Sequence, residues 1–115
     1  MSAAGSPPPG AVTVVPYDAT WPESFRQIAG EVRRALGCGP HGVEHVGSTA
    51  VPRLAAKPVI DLLVVAESDA GIPRAIAALE AGGWSHQGDG GLPGRERFTS
   101  RSGLPYHHLY RRPGQ

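Results

Sequence analysis

The chain has little cysteine and no long apolar run, and each scarcity excludes a class of protein. Cys38 is the only cysteine, so no disulfide can form within the chain and no cysteine pair is available for zinc. No segment has the apolar length that a membrane-spanning helix needs, and the first residues lack the charged-then-apolar pattern of a signal peptide. We therefore expect a cytoplasmic protein with no membrane partner.

An excess of charge of one sign is also missing. Lys and Arg total 11 against 10 Asp and Glu, which gives a formal net charge of +1, and no block of like charges occurs, so general binding to nucleic acid is not expected. The only lysine is Lys57, and every other basic residue is arginine. Because arginine pairs with phosphate or carboxylate through two parallel hydrogen bonds, a local anion site remains compatible with this composition.

The length and the apolar content predict one compact domain. The chain has 115 residues, of which 40% are hydrophobic, enough for one core but too few for two independent domains. Residues 1–10 are rich in small residues and proline, which is typical of a disordered tail. We therefore predict a tail over residues 1–10 and a single domain over residues 11–115.

Apolar spacing and turn residues predict two helices. The first begins at Thr20, where Thr20 and Glu23 have the spacing of a capping box, and ends at Gly37. The second covers about residues 69–81 and is followed by two glycines.

Strands are predicted before, between and after these helices. They are a short edge segment over residues 12–18, the segments 42–46 and 58–65, and short strands in "WSHQ", "RERFTS" and "PYHHLY" around a glycine-rich connection over residues 88–94. Both faces of the segment 58–65 are apolar, so it should be central in the sheet. This order predicts an α/β (α+β) fold with a mixed sheet flanked by helices.

One carboxylate lies within the central strand. Asp61 interrupts the apolar run "PVIDLLVV", and burying an unpaired carboxylate costs several kcal/mol unless a hydrogen bond, a cation or a metal compensates it. Asp61 therefore needs a partner or must open onto a cleft.

A Gly-Ser turn precedes this strand. Gly47 and Ser48 follow the strand 42–46, and a small turn at a strand end can present backbone N–H groups and a hydroxyl to an anion. The gap to Asp61 allows a short excursion and a return to an adjacent strand, which would bring the turn and the carboxylate together. The alternative is structural: Gly47 makes a tight turn and Ser48 caps the helical turn after it.

Two further pairs are candidates for the site. Arg95 and Arg97 would share a face of a strand and clamp phosphate oxygens, or else protect an exposed edge. His107 and His108 would face opposite sides of a strand and so would not bind one metal ion together. Each histidine is either a member of the cleft or a residue packed in the sheet.

The motif "EHVGSTAVPRLAAKPVIDLLV", with "VVPYDATWPESF" before it and "HHLY" after it, resembles the GrpB family of nucleotidyltransferase-fold proteins. The resemblance implies a nucleotidyltransferase-like mixed sheet in which the Gly-Ser turn holds nucleotide phosphates and strand carboxylates hold a divalent metal, Mg²⁺. It therefore implies a phosphate role for Gly47 and Ser48 and a metal and catalytic role for Asp61. It also implies that Lys57 neutralises a phosphate, where the alternative is a solvated loop lysine. The histidine-rich strand of the family keeps His107 and His108 among the candidates.

The chain departs from active nucleotidyltransferases in its carboxylates. These enzymes carry two acidic residues separated by one on the metal-binding strand, and the second place here is Leu63. Metal affinity should fall accordingly. Another carboxylate would come from Glu96 or, behind it, Asp89, although surface carboxylates are usually just solvated.

Two other departures concern the backbone and the length. Members of the family typically have glycine where this chain has Arg53, so the turn there would differ or Arg53 would reach towards the anion site. Members also continue past "HHLY" into C-terminal helices that this chain lacks. We expect an exposed apolar sheet surface and a tendency to self-association.

Two functional hypotheses follow. The first is a nucleotidyltransferase that binds a nucleoside triphosphate and Mg²⁺ and transfers the nucleotidyl group to an unknown acceptor. The second is a non-catalytic nucleotide-binding or accessory interaction module, because GrpB-like domains also occur joined to dephospho-coenzyme A kinase. The resemblance therefore leaves catalytic activity open.

Overall fold

The computed structural model describes residues 13–37, 41–66, 72–88 and 95–113. The predicted tail over residues 1–10 and most of the glycine-rich connection, including Asp89, lie outside these ranges.

Two helices form close to the predicted places. They are α1, Trp21–Leu36, and α2, Ile72–Ala81. The buried face of α1 carries Ile28, Ala29 and Val32 at helical spacing. Gly37, which has a positive φ, follows the last residue of α1, as predicted.

The predicted capping box is wrong. The side chain of Thr20 makes no capping hydrogen bond, and Glu23 instead pairs with Arg26 at 2.7 Å. Asp18 provides the side-chain hydrogen bonds just before the helix: its Oδ1 accepts from the hydroxyl and the backbone N–H of Thr20 at 2.6 and 2.8 Å. These bonds stabilise the charged carboxylate and lower the pKa of Asp18.

Four strands form one mixed sheet. They are β1, His41–Val46, β2, Ile60–Ala66, β3, Glu96–Phe98, and β4, His107–Pro113, in the spatial order β1-β2-β4-β3. The β2–β4 pair is parallel and the other two pairs are antiparallel. The predicted central place of β2 is confirmed, and with the two helices the fold is α+β.

Two predicted strands are reduced to single bridges. The edge segment over residues 12–18 contributes one bridge, in which Val15 and Ala56 exchange backbone hydrogen bonds of 2.9 and 3.0 Å. The segment "WSHQ" contributes one bridge, between His86 and Phe98. Pro16 removes one backbone donor next to the first bridge, which explains why pairing does not extend there.

The sheet has two unlike faces. The face that we call the helix face carries Ile60, Leu62 and Val64 of β2, all buried, and packs against α1 and α2. The face that we call the open face carries Asp61 and Leu63, which are partly exposed. Alternate residues of one strand therefore divide between a core and a surface.

Among the described residues, no helix combines the length and the apolar character needed to cross a membrane.

Candidate functional site

The predicted convergence of the Gly-Ser turn and Asp61 is present in the structure. In the antiparallel pairing of β1 and β2, Val46 lies opposite Asp61, so the turn that starts at Gly47 emerges beside the carboxylate. A Cβ atom at Gly47 would collide with Asp61 Oδ2 and lie 3.1 Å from its Cγ. Gly47 also has a φ of +77°, which side chains rarely tolerate. Both constraints require glycine at this position.

A hydrogen-bonded brace fixes the residues that follow the turn. The buried hydroxyl of Thr49 donates to the Val59 carbonyl at 3.0 Å, and His45 Nε2 lies 3.0 Å from the same hydroxyl. Because that hydroxyl has only one proton, His45 Nε2–H must donate to it. The His45 ring stacks on Phe25 of α1 at a centroid distance of 4.9 Å. The brace therefore ties the turn to β1, to the entry of β2 and to α1.

Burial influences the protonation of His45 in this brace. Partial burial lowers the pKa of His45, and the nearby negative charge of Asp61 opposes the effect in part. The neutral ring is therefore favoured, which agrees with a tautomer that carries its proton on Nε2.

Asp61 lies in the middle of the open face with an unsatisfied oxygen. Its side chain is 27% exposed, and its Oδ1 lies 3.2 Å from His108 Nδ1, the neighbouring residue in the parallel register with β4. That Oδ1 atom is nevertheless buried and has no hydrogen bond of good geometry. Such an oxygen is costly to leave unpaired, so a donor or a cation that reached it would be stabilising.

Two clefts meet at Asp61. The first, which we call the Lys57 cleft, has a volume of about 420 Å³, and its lining includes Ser48, Ala55, Lys57, Val59, Asp61 and His108. The second, which we call the arginine cleft, has a volume of about 300 Å³ and is lined by Asp61 together with Val46, Gly47, Leu63, Arg95, Tyr110 and Arg112. Asp61 is the only residue common to the two linings.

The structure brings most of the predicted residues together. Ser48, Lys57 and His108 lie with Asp61 around the Lys57 cleft. Arg95 lies on the other side of Asp61, where its guanidinium is 4.5 Å from the centroid of the Tyr110 ring. Arg97 is opposite Tyr110 in the register of β3 and β4 but is exposed and lines neither cleft.

His107 lies on the helix face, away from the site. The prediction that His107 and His108 face opposite sides of the strand is therefore confirmed. His107 is fully buried; its Nε2 accepts a hydrogen bond from the Trp84 indole at 3.0 Å, and its Nδ1–H donates to the Pro105 carbonyl at 2.6 Å. Burial lowers the pKa of His107 despite the opposing effect of that carbonyl. These contacts make His107 a packing residue.

Glu96 also lies on the helix face. It is opposite Arg111 in the β3–β4 register and pairs with His86, so it does not approach the carboxylate of Asp61. Among the residues that the structure describes, no three His, Cys, Asp or Glu side chains are grouped so that they could hold a metal ion by themselves.

The donor set at Asp61 still fits a magnesium ion that is shared with a ligand. Mg²⁺ commonly takes one or two carboxylates, several waters and substrate phosphates. The Asp61 side chain, which is partly exposed and lines both clefts, would supply one such oxygen, and the two clefts leave room for the rest. Leu63 occupies the place of a second strand carboxylate, so phosphate oxygens and water would supply the other ligands of the ion.

Arg53 follows a glycine-like backbone path. It is the described non-glycine residue with a positive φ, 70°, a conformation that suits glycine. The side chain is exposed and lines neither cleft. Arg53 therefore does not reach either cleft, and its backbone carries local strain.

Sequence reasoning missed several residues around the site. Thr49 and His45 flank the Gly-Ser turn, and a threonine directly after this turn was the available signal. Tyr110 and Arg112 alternate with buried residues on β4. Tyr110 and Arg112 share a face with His108, so they could be assigned to the site only once the face of His108 was known. A register shift of one residue would have placed both side chains on the helix face.

The fold and the site together define an α+β domain in which a central strand carries one acid against a Gly-Ser turn, below two clefts. A family model described as GrpB protein matches residues 11–114. The chain belongs to the GrpB family.

Solved and curated proteins agree with this assignment. The structure is similar to the crystal structure of the conserved protein GrpB from Enterococcus faecalis, with a TM-score of 0.75 and 34% identity over 87% of this chain and 61% of that chain. A UPF0157 protein of Pseudomonas aeruginosa is 36% identical over 108 residues, which are 89% of this chain and 44% of that protein. A dephospho-CoA kinase of Mycolicibacterium paratuberculosis is 38% identical over 76 residues, which are 64% of this chain and 19% of that kinase. The chain thus spans less than half of the length of these two curated relatives.

Proposed function

We propose that the Lys57 cleft binds the phosphates of a nucleoside triphosphate and that the domain transfers the nucleotidyl group to an acceptor. The observation that carries this proposal is the contact between the Gly47 backbone and the Asp61 carboxylate, at a position where no Cβ atom fits. Because glycine lets the turn lie against the carboxylate, a ligand at this point can contact both groups.

The residues around the cleft supply complementary contacts. The exposed hydroxyl of Ser48 can donate a hydrogen bond to a phosphate oxygen, and Lys57 brings the positive charge of the only lysine in the chain. The brace of His45 and Thr49 holds the turn in place without a ligand, so little ordering is required when the nucleotide binds.

The reaction needs few groups from the protein. An oxygen of the acceptor bonds to the α-phosphorus while the bond from that phosphorus to the α–β bridging oxygen breaks, and pyrophosphate leaves. A magnesium ion held by Asp61 and by phosphate oxygens would offset the negative charge of the phosphates. The role of Gly47, Ser48 and Lys57 is to bind and orient the triphosphate.

A second candidate function is a non-catalytic nucleotide-binding module. It is favoured by Leu63 in place of a second strand carboxylate, and by the similarity to part of a dephospho-CoA kinase. An accessory domain of an enzyme of coenzyme A metabolism would bind a nucleotide in the same cleft without catalysing nucleotidyl transfer.

Calorimetric titration of ATP, with Mg²⁺ and with EDTA, tests the proposal. We expect Asp61→Asn to weaken Mg²⁺-dependent binding about tenfold, because a charge-assisted contact is lost. The matched control is Glu44→Gln, since Glu44 is an exposed carboxylate of β1 opposite Leu63 and lines neither cleft. Binding that ignores both Mg²⁺ and Asp61→Asn would favour the non-catalytic module.

The turn is tested by a pair of glycine substitutions. Gly47→Ala should abolish ATP binding, because the new methyl group displaces the Asp61 carboxylate. Gly42→Ala is the control, since a Cβ there meets nothing within 4 Å. Transfer of label from α-labelled ATP to a component of a cell extract then separates the enzyme from the module.

A further inference from the structure

The triphosphate contacts proposed for Ser48 and Lys57 leave most of the arginine cleft unoccupied, although this cleft shares Asp61 with the Lys57 cleft and has Gly47 in its own lining. A transferase needs places for two ligands whose reacting atoms meet at one point. The position of Asp61 between the two clefts meets this geometric requirement.

The arginine cleft has the chemistry of an anion site. Arg95 and Arg112 both line it, and Asp61 is the only carboxylate in its lining. The Arg95 guanidinium is held over the Tyr110 ring, while its buried Nε atom has no hydrogen-bond partner. A buried donor without a partner is costly, and an anion would satisfy it.

The walls of the cleft set the orientation of such an anion. Val46 and Leu63 give the cleft apolar walls, and its polar groups belong to the two arginines, Asp61, Tyr110 and the Gly47 backbone. Within the part of the chain that the structure describes, neither Arg95 nor Arg112 forms an ion pair with a carboxylate. Both guanidinium groups are therefore available to a ligand.

We propose that the arginine cleft is the acceptor subsite and that it takes a small molecule with a phosphate monoester, held by Arg95 and Arg112 with one oxygen towards Asp61. This inference rests on the proposed function. Two guanidinium groups match the two negative charges of a phosphate monoester better than the single charge of a carboxylate.

An acceptor of this kind suits a site that is poor in carboxylates. A phosphate oxygen is already deprotonated, so it attacks the α-phosphorus without a general base. The attacking phosphate oxygen bonds to the α-phosphorus, and the bond between that phosphorus and the α–β bridging oxygen breaks. The bridging oxygen leaves as part of pyrophosphate. The product is a nucleotidyl diphosphate ester, and no proton has to be removed from the attacking group.

The test is NMR titration of the whole chain, ¹⁵N-labelled on arginine, with inorganic phosphate and separately with acetate. Both titrations are run with and without Mg²⁺ and α,β-methylene-ATP. We expect phosphate to shift the Arg95 Nε–H signal and to bind more tightly than acetate. Arg95→Gln and Arg112→Gln should each weaken phosphate binding about tenfold, and neither should weaken binding of the ATP analogue more than about threefold.

Arg33→Gln is the matched control, because Arg33 is an exposed arginine of α1, and it should leave phosphate binding unchanged. Arg112 is exposed, so Arg112→Gln should fold even if Arg95→Gln does not, and thermal melts of both variants verify this. Unchanged phosphate affinity in Arg112→Gln, displacement of the ATP analogue by phosphate, or tighter binding of acetate would each overturn the proposal.

The two proposals fail in distinguishable ways. If the wild-type chain does not bind the ATP analogue, the proposed function fails, while the shift of the Arg95 signal with phosphate alone still tests the arginine cleft. If the analogue binds and phosphate does not perturb Arg95, the nucleotide site stands and the acceptor subsite is wrong.

Discussion

The two faces of the sheet treat neighbouring histidines of β4 in opposite ways. On the helix face, His107 is fully buried and both of its ring nitrogens have hydrogen-bond partners. On the open face, His108 is partly exposed and lies beside an Asp61 oxygen that lacks a good hydrogen bond. The buried histidine is thus fully hydrogen-bonded, whereas the carboxylate beside the partly exposed histidine keeps one oxygen without a good hydrogen bond.

This difference separates stability from function along single strands. Leu62 packs in the core, whereas Asp61 and Leu63 on either side of it line clefts. Substitutions at odd and even positions of β2 should therefore have different kinds of effect, although the residues are adjacent in the chain.

The largest expected difference is between Leu62→Ala and Leu63→Ala. Leu62 is fully buried, so its truncation should lower the free energy of unfolding by about 3 kcal/mol through lost burial and a residual cavity. Leu63 is only partly buried, and its truncation should cost less than about 1 kcal/mol. Urea unfolding measures both, and equal costs would mean that the open face is covered in solution.

The elements that position the site were predictable because their signals are local. The apolar run around Asp61 indicated a central strand, and the Gly47 turn with a short return indicated an adjacent one. Both depend on residues that are close in the chain.

The rest of the site depends on register, which the sequence specifies weakly. Glu96 was a candidate ligand, but β3 is short, and its pairing with β4 directs that side chain to the helix face. Tyr110 and Arg112 join the cleft because β4 runs parallel to β2 and extends to Pro113. A one-residue shift would exchange all of these side chains between the faces.

The next prediction concerns the two histidines at neutral pH. His107→Gln should lower the free energy of unfolding by about 2 kcal/mol, since it leaves the Trp84 indole donor and neighbouring buried groups poorly paired. His108→Gln changes a partly exposed side chain and should cost less than about 0.5 kcal/mol. Chemical unfolding of the two variants, each with an intact near-UV spectrum, measures the difference. A reversal of this order would contradict the assignment of faces.

The pH dependence of stability sharpens the same contrast. Because burial lowers the pKa of His107 in the folded protein, the unfolded chain binds a proton more readily. Stability is therefore full above about pH 6.5 and falls as the pH drops below that value. We expect wild type to lose more stability than His107→Gln as the pH falls from about 7.5 to about 5.5. Parallel curves for the two proteins would show that His107 is not the titrating group.

The smallest expected effect is at Arg53, which has a φ of 70°. Arg53→Gly relieves the left-handed strain but adds freedom to the unfolded chain, so the net gain should be about 0.5 kcal/mol. Arg33→Gly, in the exposed part of α1, is the control and should have the opposite sign, a loss of about 1 kcal/mol. Thermal unfolding of both variants gives the two signs. A loss at Arg53 would mean that its side chain makes a stabilising contact that outweighs the strain of its backbone.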